Sequence, residues 1–264
     1  PGLIPAGITW WLIRQRPVQM LSFGINYWLS GEDPFSYHVV NLLLHLVNGL
    51  LVYRIARLLA ALKGGRVPFA FAAALFLLHP VQTESVSYIS GRAYSLSALF
   101  FLAAFTLFLE RRTEGLSWRR SGAVLALFAA ALGTKEHTLT LPALFLLTEY
   151  YWGSGGWRDA LRRNHRLYLP LAGLGAAGAA LILWVLAGAR TAGIGVGGVT
   201  PLQYFLTQCR LVFTYLRLFL FPAGQSVDPN VSISEAATLS LAALLLLVVV
   251  ACFGPGAEEG SGGA

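Results

Sequence analysis

The chain has 264 residues, of which 56% are hydrophobic and 12% charged, with a mean hydropathy of +0.64; soluble domains carry about 25% charged residues, so a water-soluble globular enzyme is excluded. The formal charge of +7 does not point to nucleic acid, because the Lys and Arg residues lie in short loops between apolar runs and form no basic-aromatic surface. Cys209 and Cys252 both sit inside apolar segments, which suggests neither a disulfide framework nor a thiolate metal site.

Taken from its start, the sequence opens at Pro1 on an aromatic-rich stretch without the pattern of a signal peptide, and is expected to be a fragment. Residues 1–37 read as an extracytoplasmic juxtamembrane segment. Asp33-Pro34 is a helix start signal, with Asp as the cap and Pro in the first turn. Apolar runs follow at 38–60, 67–78, 94–109, 121–133, 138–152, 167–187, 203–222 and 236–253, several of them near the roughly 20 residues that span a bilayer. The expected fold is all-α: a polytopic membrane bundle over 38–253 of about seven or eight short transmembrane or re-entrant helices, followed by a disordered polar tail over 254–264.

Three basic clusters set the sidedness: Arg54, Arg57, Lys63 and Arg66; Arg111, Arg112, Arg119 and Arg120; Arg158, Arg162, Arg163 and Arg166. Cytoplasmic loops accumulate such charges, and two apolar runs separate each consecutive pair, so all three can face the cytoplasm. The stretch His79–Gly91 then lies outside, and 121–152 forms a hairpin turning at Gly133-Thr134-Lys135-Glu136-His137. Arms of about 14 residues reach about 21 Å, short of a hydrocarbon layer about 30 Å thick. His79, Glu84, Lys135 and Glu136 are therefore expected to face a wet, protein-lined cavity, because an unpaired charge in lipid costs about 3 kcal/mol or more.

Two apolar segments carry polar stripes. His38, Asn41, His45 and Asn48 recur at spacings of three and four and share one face; interhelical hydrogen bonding is the favoured account over cavity lining. Gln203, Thr207, Arg210, Thr214 and Arg217 share a second face. Its arginines either snorkel from a helix lying at the outer interface or hold a lipid-linked phosphate, and the two readings stand level. Gly193–Gly198 matches G-x-G-x-x-G without a preceding strand or acidic partner, so it reads as an outer loop. The Gly/Ala stretch from Ala172 to Ala180 suits close helix packing.

Several motifs in fixed order carry a resemblance over about residues 10–235. They are Arg16-Pro17 with Leu21-Ser22-Phe23; Gly31-Glu32-Asp33-Pro34-Phe35 with Tyr37-His38, Asn41, His45 and Asn48; and His79-Pro80-Val81-Gln82-Thr83-Glu84-Ser85-Val86 with Ser90-Gly91-Arg92-Ala93. Lys135-Glu136 with Thr140-Leu141-Pro142 follows, then Thr207-Gln208, Arg210, Tyr215-Leu216, Pro222 and Asp228. In these the chain resembles the transmembrane and tetratricopeptide-repeat-containing protein O-mannosyltransferases and their bacterial relatives, within the GT-C class of membrane glycosyltransferases.

The resemblance implies transfer of a sugar, typically mannose, from a polyprenyl-phosphate donor to a protein hydroxyl on the extracytoplasmic face. The partners are then the donor lipid, a protein acceptor and the bilayer, and no nucleic acid. It implies no cofactor beyond the lipid-linked sugar and leaves a divalent metal open. The family's acidic catalytic motif is expected upstream of Pro1 and its repeats downstream, so this fragment by itself is expected to be inactive. Within the chain, Arg92, Lys135, Arg210 and Arg217 are the phosphate candidates, with His79 a hydrogen-bond partner and Asp228 a further substrate-binding candidate. Glu84 and Glu136 are candidates to orient those cations or the acceptor. For Glu136, pairing with the adjacent Lys135 or a structural part in the hairpin is the plainer reading. Many relatives carry an acidic residue where Tyr94 stands, which removes a carboxylate from that point. A transporter or a non-catalytic membrane scaffold is the alternative reading. Ala-, Leu-, Arg- and Gly-heavy usage inclines the source toward a bacterial plasma membrane over endoplasmic reticulum.

Overall fold

A computed structural model describes residues 16–63, 68–112, 114–152, 156–188 and 201–224. The chain divides into two compact units, Pro1–Leu183 and Trp184–Ala264. Among the described residues there is no strand. The first unit holds α1 (Pro17–Ser30), α2 (Pro34–Lys63), α3 (Phe69–Leu78), α4 (Thr83–Ser87), α5 (Arg92–Arg111), α6 (Trp118–Leu132), α7 (Leu141–Trp152) and α8 (Gly156–Arg163). The division between units falls within α9 (His165–Gly188), and α10 (Pro201–Leu220) belongs to the second. Every expected apolar run up to residue 222 coincides with a helix. The run at 236–253, the Gly193–Gly198 loop, Cys252 and the polar tail lie outside the described residues.

Among the described residues, two stretches are long and apolar enough to cross a membrane, Pro34–Ala61 and Ile89–Glu110. The chain is thus an integral membrane protein built from helices, the form that satisfies every backbone group without water. Asp33 starts the first of these as anticipated, its Oδ1 accepting the Phe35 N–H at 3.2 Å. Between them, α3 has ten residues, a rise of about 15 Å, and then bends by 50° into Pro80–Ser87. That geometry is a broken span or a re-entrant loop, the outcome expected of an arm too short for the bilayer.

The apolar centre of the first unit is aromatic. Phe105 and Phe108 of α5 stack on Phe145 of α7, with ring centroids 6.2 and 4.3 Å apart, and Val124, Phe128, Leu141, Leu167 and Leu171 complete it. The small-residue stretch of α9 packs less closely than expected: a Cβ on Gly178 would sit 3.4 Å from Leu132 and one on Gly175 3.9 Å from Leu139, both ordinary contact distances, and one on Gly173 would meet nothing within 4 Å.

Helix α1 is inverted relative to a water-soluble amphipathic helix. Its polar Gln19 and Asn26 are buried, while Leu21, Ile25, Leu29 and Trp28 are exposed, Trp28 at 82%. An apolar outer face turned to lipid accounts for the inversion, since the polar side chains then find partners only within the protein.

The arginine-rich loops converge. Arg54 of α2 and Arg120 of α6 both pair with Glu110 at the end of α5, the second at 4.0 Å. Arg112 and Arg163 both approach the fully buried Glu149 of α7, at 3.6 and 3.3 Å. Arg112 also donates to the Trp152 carbonyl at 2.7 Å, and Asn164 joins the Arg112 carbonyl to the Leu116 N–H. One end of the unit therefore gathers members of all three basic clusters, the arrangement that the loop-charge parity requires.

Candidate functional site

The opposite end of the first unit gathers polar residues from four segments. On α2, Asn41 donates to the Tyr88 carbonyl at 3.2 Å, His45 Nε2 meets the Leu77 carbonyl at 3.1 Å, and Asn48 donates to the Ser95 carbonyl at 2.8 Å. Three of the four stripe residues thus serve interhelical hydrogen bonding and are buried; His38 is exposed. These bonds bring the start of α5 and the end of α3 to the same end of α2. The linker that carries His79 and Glu84 lies there as well.

Arg92 is fully enclosed at this end, with 0% of its surface exposed. Its Nε donates to Asn41 Oδ1 at 2.8 Å and its Nη2 to Asn26 Oδ1 at 2.8 Å; Nη2 also donates to the Tyr37 carbonyl at 3.2 Å and Nη1 to the Ser22 carbonyl at 3.3 Å. The guanidinium lies over the rings of Phe23, 4.5 Å from its centroid, and Tyr37, at 5.4 Å. Among the described residues no carboxylate pairs with it. Only a planar fork with five donors fits such a set. It ties α1 and α2 to the first residue of α5, so its protein partners occupy the donors that the sequence reading assigned to a phosphate.

Gly91, immediately before it, allows the chain to close: a Cβ there would lie 2.5 Å from the Glu84 carbonyl oxygen. The Glu84 side chain is exposed and makes no hydrogen bond or ion pair among the described residues. His79 caps the turn Pro80–Gln82, its Nδ1 accepting the Val81 N–H at 3.1 Å. The accepting nitrogen carries no proton, which leaves the neutral ring's hydrogen on Nε2.

The α6–α7 hairpin turns where the sequence placed it. Val18 of α1 donates to the Gly133 carbonyl at 3.2 Å, docking α1 against the turn. Lys135 is held through its backbone: its N–H donates to the Ala131 carbonyl at 2.9 Å, and its own carbonyl accepts from Thr138 Oγ1 at 2.7 Å and Thr138 N at 3.3 Å. Its ammonium lies over the Tyr94 ring, 2.9 Å from the centroid. Glu136 pairs with Arg16, at 3.7 Å, and not with the adjacent Lys135, because neighbouring residues in this extended backbone point apart. Burial, assisted by the Lys135 charge and opposed by Glu136, holds His137 below the ordinary imidazole range.

Contacts therefore place Lys135, Glu136, Arg92, His79 and Glu84 at one end of the first unit. Arg210 and Arg217 lie on α10 of the second unit, seven residues apart and so on one face; Arg210 is half-buried and Arg217 exposed. On the same face Thr207 Oγ1 donates to the Gln203 carbonyl at 2.7 Å. Asp228 lies outside the described residues. No three His, Cys, Asp or Glu side chains among the described residues group so as to hold a metal ion. Sequence reasoning missed Asn26, whose partner is 66 positions away, and Glu110 and Glu149, which a count of loop arginines passes over.

The fold and the two polar ends define the class, an all-α polytopic membrane protein with its cationic loops at one end and its polar linkers at the other. Within that class, the chain is similar to proteins named as O-mannosyl-transferases. It is 34% identical over 142 residues to Protein O-mannosyl-transferase TMTC3 of Mus musculus, covering 53% of this chain and 15% of that protein. It is 40% identical over 146 residues to the TMTC4 protein of Homo sapiens, covering 49% and 20%, and 43% identical over 104 residues to tmtc2 of Xenopus laevis, covering 39% and 12%. The likeness thus spans about half of this chain and a fifth or less of each relative's length. All three relatives are animal proteins, so they lend no support to the bacterial source inclined to from residue usage. No family profile matches the chain, and no solved structure does.

Proposed function

We propose that this chain forms part of a membrane glycosyltransferase that moves a sugar, mannose in the first instance, from a polyprenyl-phosphate carrier to a hydroxyl of a protein acceptor at the extracytoplasmic face. The likeness to proteins named O-mannosyl-transferases supports the reaction class. The geometric observation that carries the reading is Lys135, a cation fixed at both backbone ends, at the end of the bundle remote from the arginine-rich loops, with no carboxylate partner among the described residues.

In such a transfer the bond between the sugar and the carrier phosphate breaks, the acceptor oxygen bonds to the sugar, and its proton passes to a base. Negative charge grows on the departing phosphate, and a fixed cation stabilises it most when it need not reorganise. Lys135 is assigned that role. Glu84, exposed and unpaired among the described residues, is assigned to orienting the acceptor hydroxyl; Glu136, paired with Arg16, shapes the hairpin tip. Arg92 holds α1, α2 and α5 together beneath this surface, and His79 caps the linker.

The test is transfer by the complete protein, reconstituted in vesicles with polyprenyl-phosphate mannose and a Ser/Thr peptide acceptor. Lys135→Ala should lower turnover by about a hundredfold, the scale of one lost preorganised electrostatic contact, with membrane insertion unchanged. Wild-type inactivity with every polyprenyl-linked sugar offered would end the reading, and full activity of Lys135→Ala would end the assignment of that residue.

A further inference from the structure

We propose that Tyr94 is the positioning residue for Lys135: its ring face holds the ammonium in place without neutralising it, so that the N–H donors turned away from the ring stay open to the phosphate of a lipid carrier. The inference rests on the sugar-transfer reading and adds to it the residue that sets the cation's position.

The geometry is specific. Every backbone polar group of Lys135 is occupied, by Ala131 on the N–H and by Thr138 on the carbonyl, so the residue has no freedom at its base. Its side chain is half-buried and ends over the Tyr94 ring at 2.9 Å from the centroid. Among the described residues Nζ makes no hydrogen bond and no ion pair. The nearest acidic residue in sequence, Glu136, is held by Arg16.

A ring and a carboxylate hold an ammonium in different ways. A carboxylate forms charge-assisted hydrogen bonds, cancels the charge and takes up donors, so an incoming phosphate must compete for them. A ring quadrupole attracts the cation over its face and accepts no conventional hydrogen bond. The ammonium keeps its charge and the donors turned away from the ring. The backbone at Tyr94 is fixed, two residues after Arg92, whose guanidinium binds α1 and α2 to the start of α5, and the residue remains 47% exposed. A phosphate approaching along that open side meets a cation aimed in advance.

The decisive experiment uses the complete protein in lipid nanodiscs and two readouts, binding of polyprenyl monophosphate and steady-state transfer. Variants are Tyr94→Leu, Tyr94→Phe and position-94 phenylalanines carrying one, two and three ring fluorines, which weaken the quadrupole stepwise at nearly constant shape. Tyr94→Phe should bind polyprenyl phosphate like the wild type. Tyr94→Leu should bind about three- to tenfold more weakly, within the range of a cation held on a ring. Affinity should fall in step with fluorination, and the loss should appear in KM for the lipid donor more than in kcat.

Equal binding by Tyr94→Leu and wild type, or no trend across the fluorinated series, overturns the inference and leaves the transfer reading standing. Ring-dependent binding in a protein that transfers no sugar upholds the positioning role and overturns the transfer reading. Absence of polyprenyl phosphate binding by the wild type overturns both.

Discussion

Replacing Asn41 by Leu tests how this bundle is held together. Asn41 is fully buried and serves two partners at once: its Oδ1 accepts from Arg92 Nε at 2.8 Å and its Nδ2 donates to the Tyr88 carbonyl at 3.2 Å. Leucine fills a similar volume and satisfies neither. A hydrogen bond to a charged group is worth about 1.5–3 kcal/mol and a neutral one about 1 kcal/mol, which sets an upper bound near 4 kcal/mol. Neutral interhelical bonds in bilayers average about 0.6 kcal/mol because the unfolded chain finds other partners in the membrane. The charged partner dominates here, since a buried guanidinium has few substitutes for a lost acceptor, and the expected loss is about 2–4 kcal/mol. At roughly 2–4 °C per kcal/mol for a chain of this size, scanning fluorimetry in detergent should show a Tm lower by about 4–16 °C. His38→Leu changes the same stripe at an exposed position and should stay within about 2 °C of the wild type. Equal melting of Asn41→Leu and His38→Leu would refute the argument that this network holds α1, α2 and α5.

Three further outcomes follow from the geometry. Gly91→Ala should destabilise by about 1–3 kcal/mol, because its Cβ would meet the Glu84 carbonyl oxygen at 2.5 Å and backbone must move; Ser90→Ala beside it is the control in the same melt. Glu149→Gln removes the carboxylate shared by Arg112 and Arg163 and leaves two cations without it, costing about 3–5 kcal/mol; reduced yield of folded protein on size-exclusion chromatography reports it. His137 has its pKa lowered in the fold, so the folded state is favoured above the unfolded imidazole pKa of about 6.5 and loses that contribution as pH falls below it. His137→Gln should flatten the dependence of Tm on pH below about 6.5, and an unchanged slope would remove His137 from the account.

Much of the architecture was legible because bilayer helices announce themselves. Apolar runs marked where α2, α3, α5, α6, α7, α9 and α10 lie, Asp33-Pro34 marked the start of α2, and loop arginines grouped the ends. Helix α1 was not legible as a helix: its buried face is polar and its exposed face apolar, so the usual periodicity points the wrong way. The stripe of His38, Asn41, His45 and Asn48 was read as interhelical glue, which holds for the three that face another helix and not for His38, which is exposed. Partners distant in sequence stayed hidden. Arg92 looked like a free cation until Asn26 and Asn41 came to it from two other helices, and Glu136 looked like the neighbour of Lys135 until Arg16 supplied a better-placed charge. Lys135 itself was marked by its position at a hairpin tip, whereas the ring beneath it was visible only as a missing carboxylate.

The account depends on its two ends lying on opposite sides of one membrane. In a background with Cys209 and Cys252 replaced by Ser, single cysteines at Ser90, in the polar linker, and at Arg158, beside the arginine-rich end, can be probed with an impermeant maleimide in sealed vesicles of known orientation. The account predicts that Ser90→Cys labels from the extracytoplasmic side, and that Arg158→Cys labels from that side only after permeabilisation. Labelling of both positions from the same side of intact vesicles would contradict it.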